Sequence, residues 1–132
     1  MSFLGVVIDT CVLIEIEKNN KEVISRLDNF DSIKEEFYIT SPTYSEFYLG
    51  LLKLSEEKSE KGKQRLDKYK LLNTTKNSSK LLAEIKHKVS KAGTPIPIFD
   101  LFIASIAMDS GMPLITLDNH FKKIQNLNVI VI

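Results

Sequence analysis

The sequence predicts an α/β domain with a central parallel sheet and helices on both of its faces. Three observations lead there. Short apolar runs rich in β-branched residues recur along the chain, helical patterns longer than ten residues separate most of them, and acidic residues stand directly after two of the runs. Parallel strands need crossovers of a dozen residues or more, and strands buried on both faces stay apolar without alternating. At 132 residues the chain suits one core, so residues 1–132 are read as a single domain.

The first strand is FLGVVI, residues 3–8, ended by Asp9. From Leu13 to Leu27 the apolar residues Ile16, Val23, Ile24 and Leu27 recur at loose helical spacing, and Asn19 and Asn20 divide the span into two short helices. Phe37, Tyr38 and Ile39 form the second strand. Ser41 is the expected N-cap of the next helix, with Pro42 in its first turn. That helix carries Tyr44, Phe47, Tyr48 and Leu51 on one side, with a bend expected at Gly50, and leads into a Lys/Glu-rich span over 53–72. There Leu66, Tyr69 and Leu72 continue an apolar stripe. A further helix is expected over Ser79–Ala92, closed by Gly93, Pro95 and Pro97. Another covers Phe99–Ser110 and stops at Gly111 before Pro113. Leu114–Leu117 and Val129–Ile132 are the last strands.

An apolar fraction of 43% and a charged fraction of 27% exclude disorder and fibrous repeats. With no apolar run of about 18 residues and no basic leader, no membrane association is expected, and the cytoplasm is the expected compartment. The single cysteine, Cys11, cannot form an internal disulfide and is read as a small buried apolar residue. The net charge is +1, yet residues 51–91 hold 12 of the 18 basic side chains and only 5 of the 17 acidic ones. Lys61, Lys63, Arg65 and Lys68 there either follow phosphates or form a solvated helix face. There is no phosphate-binding glycine loop and no serine-nucleophile elbow, so a nucleotide cofactor and serine chemistry are without support. His87 and His120 are read as surface or structural residues.

Acids interrupt apolar sequence where a parallel α/β domain opens toward its crevice, beyond the carboxyl ends of the strands. Asp9 and Asp118 follow strands, Asp100 starts a helix, and Glu46 lies in the first turns of the helix after the second strand. Four carboxylates in one crevice repel one another unless a cation or protons offset them. Hard oxygen donors suit Mg²⁺ or Mn²⁺, and the chain offers no Cys/His set for zinc. Acid-only sites of this kind serve phosphodiester hydrolysis. Each acid also has an ordinary structural role open to it. Asp9 is a possible helix cap, Glu46 a capping-box partner of Thr43, Asp100 a complement to a helix dipole, and Asp118 a turn residue.

The stretches VVIDTCVLIE (6–15), SPTYSEFYLG (41–50), PIFDLFIASIA (97–107) and PLITLDNHF (113–121) resemble, in order, the four acidic motifs of PIN domains. The resemblance spans nearly the whole chain and, in size, is greatest to the toxin nucleases of VapBC-type toxin–antitoxin pairs. It implies a three-layer PIN-like domain in which Asp9, Glu46, Asp100 and Asp118 bind Mg²⁺ or Mn²⁺ and carry catalysis, supported by Thr10 and Thr116. It further implies an RNA substrate, an antitoxin protein partner and a homodimer. Tyr44, Tyr48 and Leu52 are candidates for the dimer contact.

Two other functions compete with a metal-dependent endoribonuclease. One is a PIN-like module of weak or no catalytic power that binds RNA or serves assembly. The other is a phosphorylatable receiver domain, which lacks an acidic pair beside Asp9 and a lysine after a late strand.

Overall fold

The computed structural model describes residues 5–29, 36–93 and 95–132. In chain order they form β1 (Gly5–Ile8), α1 (Thr10–Glu17), α2 (Lys21–Asp28), β2 (Glu36–Thr40), α3 (Ser41–Leu51), α4 (Glu56–Leu66), β3 (Lys70–Leu72), α5 (Lys76–Lys91), α6 (Ile98–Ser110), β4 (Leu114–Thr116), a 3-10 turn (Asn119–Lys123) and β5 (Val129–Val131). The expected first strand reaches back to Phe3 and Leu4, which lie outside the described residues.

All five strands are parallel, in the order β3-β2-β1-β4-β5. From β1 the chain moves outward on one side to β2 and β3, then crosses back to place β4 and β5 on the other. The strand order therefore reverses between β1 and β4, and a crevice opens there beyond the carboxyl ends of the strands.

The pleat sorts the core into two layers. Val7 and Leu114, neighbours in register, point with Leu101, Ala104 and Ala107 of α6, Ile85 and Val89 of α5, and Phe121 to one face. Val6, Ile8, Ile39 and Ile115 point to the other, where Val12, Leu13, Val23, Leu27, Leu51 and Leu66 cover them from α1, α2, α3 and α4. The three-layer α/β architecture follows directly.

Several boundaries differ from the sequence expectation. The cap of α3 is Thr40, whose Oγ1 accepts from the Thr43 amide, so Ser41 is the first helical residue and Pro42 the second. Gly50 lies inside the last turn of α3, and the break falls at Leu52–Ser55, after which Ser55 caps α4. The stripe expected to run on through Tyr69 and Leu72 ends at Leu66, and Lys70–Leu72 is an edge strand on β2. Helix α5 starts three residues before Ser79 because Thr75 and Ser78 form a reciprocal capping box. Asn19, with φ 59°, and Asn20, which caps α2, divide the first helical span as expected. Among the described residues no helix is long and apolar enough to cross a membrane.

Candidate active site

At the end of β1 the backbone leaves the sheet, and Asp9 caps α1 by accepting the Thr10 amide on Oδ1 at 2.8 Å. The capping role read for Asp9 is therefore real, and it leaves Oδ2 to other partners. That oxygen accepts from the Thr116 hydroxyl at 2.8 Å and lies 3.1 Å from the Cys11 thiol, which donates to it. Asp9 is only 4% exposed and Thr116 fully buried, so this anchoring is shielded from water. The Thr116 oxygen also accepts the Asp118 amide at 3.1 Å. One hydroxyl thus ties the ends of β1 and β4 together.

Glu46 is held by a chain of threonines. Thr10 donates to Glu46 Oε1 at 2.8 Å and lies 2.9 Å from the Thr43 hydroxyl. Since the Thr10 proton goes to Glu46, Thr43 is the donor in the second contact, and Thr40 donates to Thr43 in turn at 3.2 Å. The relay Thr40–Thr43–Thr10–Glu46 ends on the carboxylate, and Thr40 and Thr43 are both fully buried. The capping box of Thr43 with Glu46 does not form, because Thr40 takes the cap.

Asp100 stands in the first turn of α6. Burial pushes its carboxyl above the usual range, and the charges of Asp9 and Glu46 push the same way against an opposing pull from His120. Asp118 is exposed and caps the 3-10 turn, with Oδ1 accepting the His120 amide at 3.0 Å. The His120 ring lies 2.9 Å from Asp118 Oδ2 through Nδ1 and 2.9 Å from Asp100 Oδ2 through Nε2. Both contacts are close but misaligned for a hydrogen bond, and Nε2 is buried without an aligned partner.

Asp9, Thr10, Cys11, Ile14, Glu46, Asp100, Leu117, Asp118 and Asn119 line one open concavity of about 510 Å³. The structure thus brings the four expected acids and Thr10 to one place, with Thr116 beneath them. A groove of similar size, about 530 Å³, lies between α5 and the segment after the 3-10 turn and contains none of them. The acids do not close on one point: among the described residues, no three Asp, Glu, His or Cys side chains are gathered as a coordinated ion requires.

Sequence reasoning missed three contributors. Thr43 lies three residues before Glu46, on the same helix face, a spacing that signals a shared site. His120 follows Asp118 by two residues and reaches back to it. Cys11 is half-buried at the concavity wall rather than in the core. Burial and then the Asp9 charge push its thiol up to about 12, so it remains a donor to Asp9. The basic middle is compensated in part, on α4: Lys61 pairs with Glu57, Lys63 with Glu60 and Arg65 with Glu17.

The family model of the PIN domain matches residues 6–127. The chain is 35% identical over 103 residues to Ribonuclease VapC3 of Methanocaldococcus jannaschii, a match covering 78% of this chain and 98% of that protein. Its fold is similar to that in the crystal structure of VapBC2 from Rickettsia felis bound to a DNA fragment from their promoter, with a TM-score of 0.83 and 21% identity over 96% of this chain and 98% of that one. DNA-bound VapBC from Salmonella typhimurium gives a TM-score of 0.81 and 20% identity, over 98% of each chain. With the matched span running from the strand that delivers Asp9 past the turn that holds Asp118, the chain belongs to the PIN-domain family.

Proposed function

We propose that this protein is a metal-dependent endoribonuclease, the toxin of a toxin–antitoxin pair, in which Asp9, Glu46, Asp100 and Asp118 hold Mg²⁺ or Mn²⁺ and RNA is the substrate. The observation that carries the reading is the delivery of four carboxylates from four separate elements into one concavity at the switch point of the sheet. The donor set fits the ion: hard carboxylate oxygens, one of them on an Asp100 whose ionisation its acidic neighbours oppose, favour a hard cation over zinc. When bound, such an ion supplies Lewis acidity to the phosphate and a nucleophilic water.

The chain's own residues prepare that chemistry. The Thr10 amide and the Thr116 hydroxyl fix both oxygens of Asp9. The threonine relay holds Glu46 by one oxygen at the wall of the concavity, and Thr116 sets the position of Asp118 through its amide. Ile14 and Leu117 give the concavity an apolar wall. The antitoxin reading rests on the family and on the toxin–antitoxin complexes among its structural relatives. Homodimerisation rests on the exposed Leu49, Leu52 and Leu54 beside the stacked Tyr44–Tyr48 pair.

A second reading, an RNA-binding or assembly module with little catalysis, draws on the acids not closing around one point. Metal-dependent cleavage separates the two. Purified protein should cut RNA with Mg²⁺ or Mn²⁺ and not with chelator. Asp9→Asn, which keeps shape but removes charge, should lose at least about a hundredfold in rate, on the scale of losing one site group, with an unchanged circular dichroism spectrum. Wild-type activity in that variant would exclude Asp9 as a central ligand.

A further inference from the structure

His120 holds no ion and cuts no bond, yet it engages two of the four acids at once. Its ring tilts on the buried Phe121, with centroids 4.8 Å apart, and its side chain is only 25% exposed. Asp118 is engaged entirely by this one residue: Oδ1 by its amide at 3.0 Å and Oδ2 by ring Nδ1 at 2.9 Å. Nε2 of the same ring stands 2.9 Å from Asp100 Oδ2, buried and without an aligned hydrogen bond. A buried nitrogen held against a carboxylate at a poor angle is a group set in place by its neighbours rather than by its own bonding.

An ion shared by Asp100 and Asp118 must lie between them, about 2.0–2.1 Å from an oxygen of each. The imidazole already spans the two acids, with one nitrogen against an oxygen of each. One oxygen of each acid is thus held by the ring from behind, since both acids line the concavity and His120 does not.

We propose that His120 is a positioning residue that bridges Asp100 and Asp118 and competes with the divalent cation for them, so that its ring must turn away before both acids reach one ion. The turn it sits in does not have to unfold. The hydrogen bond that the His120 backbone amide donates to Asp118 Oδ1 is independent of the ring's rotamer, so rotation about the side-chain bonds frees Asp118 Oδ2 and Asp100 Oδ2 together while the cap persists. His120 thereby sets the cation affinity of the site without touching substrate.

The inference rests on the metal reading above, and its test needs no RNA. The chain holds two histidines, so His87 serves as an internal reference in the wild-type protein. In ¹⁵N spectra of the imidazoles, titration with Mg²⁺ should shift the His120 nitrogens along the binding curve and leave those of His87 in place. In calorimetry with Mn²⁺, His120→Ala should bind about tenfold tighter, the scale of one close contact to a charged group no longer competing. His120→Gln, which keeps an amide able to reach one carboxylate, should fall between. Unmoved His120 signals at Mg²⁺ saturation, or equal or weaker Mn²⁺ binding by His120→Ala, would overturn the proposal. Asp100→Asn keeps the two readings apart. Full Mn²⁺ affinity in that variant would remove the carboxylate site itself, whereas its loss alongside no gain in His120→Ala would remove only the role of His120.

Discussion

Thr116 has no exposed surface, and its hydroxyl serves two acids at once, donating to Asp9 Oδ2 and accepting the amide of Asp118. Thr116→Val keeps the shape and deletes both bonds, leaving the Cys11 thiol as the remaining donor to that oxygen among the described residues. The variant should lose about 10–100-fold in Mn²⁺ affinity, the usual scale for residues that orient a ligand, and about 1–3 kcal/mol of stability from unpaired buried groups. Calorimetry and urea unfolding read the two separately. Asp100 has the opposite character, since burial and its acidic neighbours raise its pKa in the folded chain. A raised carboxyl pKa means that the folded state takes up a proton more readily than the unfolded one, so ionised Asp100 costs stability above that pKa. The cost disappears as pH falls through it. Asp100→Asn should therefore raise the melting temperature of chelator-treated protein at neutral pH, lose that advantage toward acid pH, and gain less from saturating Mg²⁺. Were Asp100 merely a complement to the α6 dipole, the same change would lower stability by about 0.3–1 kcal/mol and leave the metal response intact. Asp9 and Asp118 were legible in sequence because a charge that ends an apolar run stands out. Thr43, His120 and Cys11 were not, because hydroxyl, imidazole and thiol acquire their roles only from the neighbours that the fold supplies.

Elements follow the same division between strong local signals and tertiary ones. Helix α6 was placed to within one residue because Pro97 precedes its first turn, Asp100 lies in that turn, and Gly111, at φ 74°, closes it in a conformation that glycine adopts freely. Strand β3 was missed because three residues, Lys-Leu-Leu, carry no period of their own. Their strand identity comes from pairing with Tyr38, Ile39 and Thr40 at the edge of the sheet. The cap of α3 went to Thr40 rather than Ser41 because Thr40 is the last residue of β2 and still extended, at φ −91° and ψ 161°. Gly5 shows what strand packing requires at the entry to β1. A Cβ built there would stand 2.4 Å from the Tyr38 ring and 2.6 Å from the Glu36 carbonyl oxygen, and the latter is backbone that cannot turn aside. Gly5→Ala should cost about 1–3 kcal/mol, seen as a lower urea midpoint, with Tyr38→Ala recovering only part of it because the carbonyl clash remains.

At the scale of the whole molecule, the sheet order sets where chemistry can sit. Because β4 returns beside β1, Asp9 and Asp118 emerge from adjacent strands, and the helices that follow β2 and precede β4 bring Glu46 and Asp100 to the same end. That much was readable from alternating strands and helices. The charge distribution was not, because counting charges along the sequence cannot show which of them pair. Residues 51–91 look strongly basic, yet on α4 Lys61, Lys63 and Arg65 face Glu57, Glu60 and Glu17. These pairs are exposed and individually weak, so a phosphate can displace a carboxylate from any of them. The displaced carboxylates stay beside the phosphate and repel it, which cancels most of the gain. Replacing Lys61, Lys63, Arg65 and Lys68 together with Gln should therefore change the slope of log affinity against log salt by less than about one unit, measured for RNA binding to Asp9→Asn protein so that no cleavage intervenes. Four cations each neutralising a phosphate of single-stranded RNA would instead contribute roughly 0.7 apiece, close to three units in all. A loss of that size would return α4 to the RNA path and show that the nucleic acid separates these pairs on binding.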